Sequence, residues 1–155
     1  IMPGQGEAAN TMTYLRQNGL DNLIRSFSQP VLGICIGMQL MCSSSEEGNA
    51  ECLNIFPDIK VKKFIPQTNE KIPHMGWNSL HGINGGLFKG ISEGSYVYFV
   101  HSYYVPECRF TTAECHYAGK FSAAIEQGNF HAVQFHPEKS GTVGAKILQN
   151  FLEIQ

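Results

Sequence analysis

Residues 31–39 read Val31-Leu32-Gly33-Ile34-Cys35-Ile36-Gly37-Met38-Gln39. The apolar run from Pro30 to Ile34 predicts a short buried strand, and a helical pattern takes over at Gly37 and Met38. A cysteine at such a junction has the pattern of a nucleophile elbow with sulfur in place of a serine hydroxyl. A side chain on so sharp a turn must stand clear of its neighbours. That favours residues without a Cβ two positions before and after it, here Gly33 and Gly37. The start of a helix beside the sulfur would favour thiolate over thiol. The alternative for Cys35 is a structural thiol, since free cysteine is among the most buried residue types.

Upstream, Glu7 to Gln17 is predicted as a helix with Ala8, Met12 and Leu15 on one face, ended by Asn18-Gly19. Ile1-Met2-Pro3-Gly4 reads as the end of a strand entering a Gly-rich turn. A strand-helix-strand unit of about 30 or more residues is therefore expected ahead of it. Downstream, the helix after Cys35 is predicted from Gly37 to Ser45, placing Cys42 about two turns beyond Cys35 in the core. Ile59 to Phe64 alternates as a strand, Pro66 to Gly90 reads as loops with short strands, and Tyr96 to His101 is strongly β-prone. Arg109 to Tyr117 and Lys120 to Glu126 make a predicted hairpin turning at Ala118-Gly119. Gly128-Asn129 then leads into a third strand ending near His136. Ser140 is placed to cap a last helix with Ile147, Leu148 and Phe151 as its apolar stripe. Early alternation of helix and strand followed by antiparallel strands predicts a single α/β domain over residues 1–155 with a mixed sheet.

The 155 residues suffice for one domain with a real core. A net charge of −2 gives no electrostatic case for nucleic acid or an anionic membrane surface. No apolar run approaches the roughly 20 residues needed to cross a bilayer. Five cysteines at irregular spacing fit reduced thiols in a cytoplasmic protein. No metal site is expected, because Cys108, Cys115 and His116 lack a fourth ligand at finger-like spacing.

A second chemical signal lies about a hundred residues downstream, in Phe130-His131-Ala132-Val133-Gln134-Phe135-His136-Pro137-Glu138. Pro137 is expected to hold this segment extended and to bias His136 away from helix. His136 and Glu138 then suit the base and orienter of a cysteine hydrolase. Taken alone, the segment could equally be a surface His-Pro-Glu turn.

Gly33-Ile34-Cys35-Ile36-Gly37-Met38-Gln39 together with Phe135-His136-Pro137-Glu138 resembles the class I (triad) glutamine amidotransferases. Within that family, Pro73-His74-Met75-Gly76-Trp77-Asn78 and Tyr98-Phe99-Val100-His101-Ser102-Tyr103 are similar to the glutaminase subunits of imidazole glycerol phosphate synthases. The ending Pro137-Glu138-Lys139-Ser140-Gly141 is similar to them too, and the resemblance covers essentially the whole chain.

The resemblance implies a flavodoxin-like mixed open sheet flanked by helices. It implies hydrolysis of glutamine by a Cys35-His136-Glu138 triad through a γ-glutamyl thioester, with no cofactor. The oxyanion donors would be backbone N–H groups of Ile36 and of the Pro3-Gly4-Gln5-Gly6 strand, where Gln5 departs from the family's Val. Gln39, Glu47, Ser102 and Tyr103 match positions that hold the substrate's amino-acid end. Trp77, Asn78, Tyr98 and Lys139 match positions facing a (β/α)₈-barrel cyclase, the heterodimer partner that consumes the ammonia. Without the resemblance, Glu47 could form a solvated acidic patch with Glu46, Gln39 could lie on a helix surface, and Trp77 and Tyr98 could be core. His74, His81, His101, His116 and His131 are expected as surface or supporting residues.

Three other readings stay open. Another triad amidotransferase is disfavoured by Pro73 to Asn78. A peptidase or stress-type hydrolase commonly carries His directly after the elbow cysteine, where this chain has Ile36. An inactive docking or regulatory subunit would not need Cys35, His136 and Glu138 together.

Overall fold

In the computed structural model, which describes residues 1–154, the backbone of Met2 joins the strand that leads to Cys35. Its N–H donates to Leu32 O at 2.8 Å and its carbonyl accepts from Ile34 N at 3.0 Å. Helix α1 (Ala8–Gln17) follows, capped by the Glu7 carboxylate, which accepts from the N–H groups of Ala9 and Asn10. The predicted stop at Asn18-Gly19 is a break between two helices. Gly19 adopts φ 66° and α2 (Leu20–Arg25) begins immediately after it.

β1 (Val31–Ile34) is buried along its whole length, and α3 (Ile36–Leu40) starts directly beyond Cys35. The expected helix from Gly37 to Ser45 ends early, because Cys42–Ser45 forms strand β2. Three consecutive serines compete with helical hydrogen bonding, and two neighbouring strands offer ladder partners. β2 pairs antiparallel with β3 (Ala50–Glu51) and parallel with β4 (Phe56–Lys63). Cys42 is fully buried as expected, but on a strand.

The loop-rich middle contains β5 (His74–Ser79), paired along its length with β6 (Tyr96–His101). Short β7 (Tyr103–Tyr104) joins the edge of β4. The predicted hairpin forms from β8 (Thr111–His116) and β9 (Lys120–Gln127), turning through positive φ at Ala118 and Gly119. β10 (Phe130–Val133) stops three residues before His136, and α4 (Gly141–Leu152) ends the fold. Ile147 and Phe151 of its predicted stripe are buried and Leu148 partly so.

The strands form a mixed set in the order β1-β10-β9-β8, with β1 and β10 parallel and the others antiparallel, as predicted. A second set runs β3-β2-β4-β7, and β5-β6 is a separate hairpin. Bridges at Val105–Ser122 and His81–Glu114 tie these to the first set. Phe99, Phe121, Phe135 and Ile147 pack in one core cluster, and Met38, Met41, Phe56 and Ile125 in another. Each fully buried large side chain contributes about 1.5–3 kcal/mol of transfer free energy. No helix among the described residues is long and apolar enough to cross a membrane.

Candidate active site

Cys35 sits at φ 52°, ψ −108°, a conformation that a non-glycine residue holds only when its surroundings impose it. The glycines explain how. A Cβ on Gly33 would lie 2.9 Å from the Gly37 backbone, and one on Gly37 would press on Met2 O. The elbow therefore closes only because both positions lack a side chain, as the spacing predicts.

His136 is buried and extended (φ −100°, ψ 98°), as expected for a residue preceding proline. Pro137 does not continue an extended segment. It opens a 3₁₀ turn, Pro137–Lys139, because its fixed φ suits the first position of a turn. That turn brings Glu138 Oε1 to 2.7 Å from His136 Nδ1. The Glu138 carboxylate, half exposed, fixes the ring so that Nε2 faces the interior, where it has no hydrogen-bond partner. Ser140 locks the turn onto β6. Its Oγ donates to His136 O at 2.7 Å and accepts from Tyr98 N at 2.9 Å, so it makes no side-chain cap for α4.

Gly4 lies between the two motifs. A Cβ there would be 3.0 Å from His136 Cε1 and 3.1 Å from Cys35 Cβ. Gly4, Cys35, Ile36, Gln39, Glu47, Ser102 and Tyr103 line one cleft of about 310 Å³. Gln5 instead borders a separate apolar cleft with Met2, Tyr14 and Leu15.

The expectation of a ready thiolate is not met. Burial pushes the Cys35 thiol up to about 11, and the nearby Glu138 and Glu47 charges add to the rise. The Ile36 N–H and the Gln134 carboxamide pull the other way but do not overcome desolvation. A helix of five residues offers too little partial charge to offset it. The thiol donates toward Val100 O at 3.8 Å.

Gln39 is buried, not on a helix surface, and its Nε2 donates to Tyr103 O and to Gln134 Oε1, each at 2.9 Å. Glu46 and Glu47 part company. Glu46 binds Lys63 N and pairs with Lys60, whereas Glu47 Oε2 accepts from Ala8 N at 2.9 Å at the start of α1. Partial burial raises the Glu47 carboxyl, with the Glu7 charge adding to it and the Ala8 N–H opposing.

The family profile of Glutamine amidotransferase class-I matches residues 1–154. The chain belongs to the class-I glutamine amidotransferases. It is 57% identical to the imidazole glycerol phosphate synthase subunit HisH of Bacteroides thetaiotaomicron, over 99% of this chain and 79% of that protein. The subunit HisH 2 of Legionella pneumophila is 44% identical over 100% of this chain and 78% of its own length. Among solved structures, a glutamine amidotransferase aligns over 97% of this chain and 75% of its own with TM-score 0.69 at 18% identity. A Thermotoga maritima glutamine amidotransferase aligns over 97% and 58% with TM-score 0.59 at 20% identity. These two show the shared fold.

In this amidotransferase, Trp77 and Tyr98 face each other across β5 and β6, with rings 6.1 Å apart, and Trp77 is 55% exposed. Lys139 Nζ lies 6.0 Å from the Tyr98 ring. Core packing of Trp77 is thereby excluded. Asn78 turns inward instead, its Nδ2 donating to His116 O at 3.0 Å and toward His74 Nε2 at 3.4 Å.

Three of the histidines expected as surface or supporting residues are buried: His131, beside Phe151, and the neighbouring His74 and His101. His74 stacks between Phe99 and Tyr117, and its Nδ1 meets His101 Nε2 at 3.0 Å. His101 Nδ1 in turn meets Tyr103 O at 2.8 Å. Desolvation holds His74 near 4 and His101 near 3, against an ordinary 6.5. Below pH 6.5 the unfolded chain thus binds protons that the folded one refuses, and stability is lost as pH falls toward 4. The buried thiols Cys35, Cys52 and Cys115, raised from 9.0 to about 11, 11 and 12, act at the other end. The unfolded chain ionises first there, so stability falls as pH rises above 9. Melting temperature followed across pH should show a plateau between these limits with a decline on either side. A melting temperature that climbs below pH 6.5 would contradict the neutral imidazoles.

Sequence reasoning missed Gln134, which is fully buried and donates to Cys35 Sγ at 3.6 Å. Its place two residues before His136 was the available signal. It also missed Gly144 in α4, where a Cβ would fall on Pro137 O.

Proposed function

We propose that this chain is the glutaminase subunit of an imidazole glycerol phosphate synthase, hydrolysing glutamine and passing ammonia to a (β/α)₈-barrel cyclase in histidine biosynthesis. The observation that carries the hydrolysis is the buried, unpartnered Nε2 of His136, oriented by Glu138, on a ring that packs with Cys35 around the bare backbone of Gly4. The high identity to HisH subunits supports the pathway.

Catalysis starts with transfer of the Cys35 proton to His136 Nε2, after the S–H turns away from Val100 O. The sulfur attacks the side-chain amide carbon of glutamine, forming the C–S bond and a tetrahedral oxyanion. Ile36 N–H and a backbone N–H of the Gly4-Gln5 segment are the proposed donors to that oxygen. The imidazolium protonates the amide nitrogen, the C–N bond breaks, and ammonia leaves. Water then loses a proton to His136 and attacks the thioester. The C–S bond breaks, and the proton on His136 returns to sulfur. Glu138 holds the tautomer and stabilises each imidazolium. Glu47 and Gln39, together with Ser102 and Tyr103, bind the ammonium and carboxylate of the substrate.

Exposed Trp77 and Lys139, with half-buried Tyr98 between them, form the proposed contact with the cyclase, in keeping with aromatic enrichment at interfaces. A sealed contact matters because ammonia is protonated in water. The cytoplasm is the proposed compartment, in keeping with five free thiols. Glutamate release, measured with and without the cyclase barrel and its nucleotide ligand, should rise when the partner is present. Trp77→Ala should weaken that rise by about tenfold in partner concentration. Absence of glutamate release in both conditions would overturn the reading.

A further inference from the structure

We propose that Gln134 is a further catalytic residue, whose carboxamide donates an N–H to the Cys35 sulfur and stabilises the thiolate as it forms. This rests on the reading of Cys35 as nucleophile.

Which end of the Gln134 carboxamide faces the sulfur follows from atoms farther away. Tyr103 O can only accept, so the Gln39 atom 2.9 Å from it must be Nε2. The second hydrogen of that Nε2 points at Gln134, 2.9 Å away, so Gln134 presents Oε1 there. Its Nε2 is then left facing Sγ at 3.6 Å. A carboxamide turned the other way would set oxygen against a forming thiolate and nitrogen against nitrogen.

Tyr103 O is itself held in place. His101 Nδ1 must donate to it, which leaves His101 Nε2 an acceptor for His74 Nδ1–H, and His74 Nε2 an acceptor for Asn78 Nδ2. Every donor in the series is thereby assigned, and both rings must stay neutral, since a proton on either sets donor against donor. Gln39, His101 and His74 are positioning residues for the carboxamide. The Gln134 side chain is fully buried, so water does not compete for its N–H. A hydrogen bond to an ionised group is stronger than one to a neutral group, so the contact favours thiolate over thiol.

The test is the pH profile of Cys35 alkylation by iodoacetamide, read on the Cys35 peptide by mass spectrometry. Gln134→Leu and Gln134→Met should alkylate about tenfold more slowly than wild type at each pH below the midpoint, the equivalent of about one unit upward. Gln39→Leu, which frees the carboxamide to turn, should shift the profile in the same direction by less. Melting temperature identifies the folded variants. A wild-type profile in any folded variant at position 134, or an unmoved profile in Gln39→Leu if neither of those folds, overturns the proposal. Alkylation needs neither glutamine nor the cyclase. A wild-type chain without glutaminase activity would therefore sink the functional reading, while the alkylation profile still decides the role of Gln134.

Discussion

Alanine at position 35 should reduce glutamine hydrolysis by at least ~10⁴-fold, while the fold survives. Nothing else in the cleft can replace the sulfur. Glu47 is bound to the start of α1, and the Gln39 amide is engaged at both hydrogens. Residues that act as one covalent unit lose nearly the whole catalytic advantage when any member is removed. Steady-state glutamate release is the measurement, with thermal melting as the control for folding. The buried thiol is small, and its loss leaves the Gly33, Gly37 and Met2 contacts that shape the elbow. Activity above about one hundredth of wild type in a folded Cys35→Ala chain would contradict covalent catalysis at this position.

Gly144→Val is expected to have the second-largest effect, although it lies outside the cleft. A Cβ at this position of α4 collides with Pro137 O and approaches Ser140 Cβ to 2.8 Å. Both belong to the turn that carries Glu138, and Gly144 N itself donates to Ser140 O at 3.0 Å. Either the first turn of α4 or the Pro137–Lys139 turn must move. Overpacking of backbone against backbone costs about 3 kcal/mol, which lowers the melting temperature of a chain this size by roughly 10 °C. Displacement of Glu138 from His136 Nδ1 should also lower kcat by about 10²-fold, since an imidazole in the wrong tautomer cannot accept the proton. A variant that melts like wild type and keeps full kcat would show that α4 and the turn are not rigidly joined.

Local chemistry made much of the fold legible. The elbow was readable because a sharp turn demands glycine on both sides, and the β8–β9 hairpin because Ala118-Gly119 separates two β-prone runs. The final helix was readable from its spacing of Ile147 and Phe151. The stretch Cys42–Ser45 misled because helix and strand were both admissible from its residues. The outcome hung on β4, more than ten residues away in sequence, which supplies the ladder. The expected thiolate failed for a related reason. Proximity to a helix start can be read along the chain, whereas desolvation by the segments that close over the sulfur cannot.

The sequence by itself determined the chemistry available: a cysteine on a glycine-flanked turn, and a histidine two residues from a carboxylate. Short-range constraints on backbone and spacing suffice for that. Only the tertiary structure decided the state and setting of those groups. It raised the thiol to about 11, turned Asn78 inward while leaving Trp77 exposed, and buried His74 and His101 as neutral rings. It also brought Gln134 to the sulfur. Burial and hydrogen-bond direction depend on which distant segments close over a residue, and that information is spread across the whole chain.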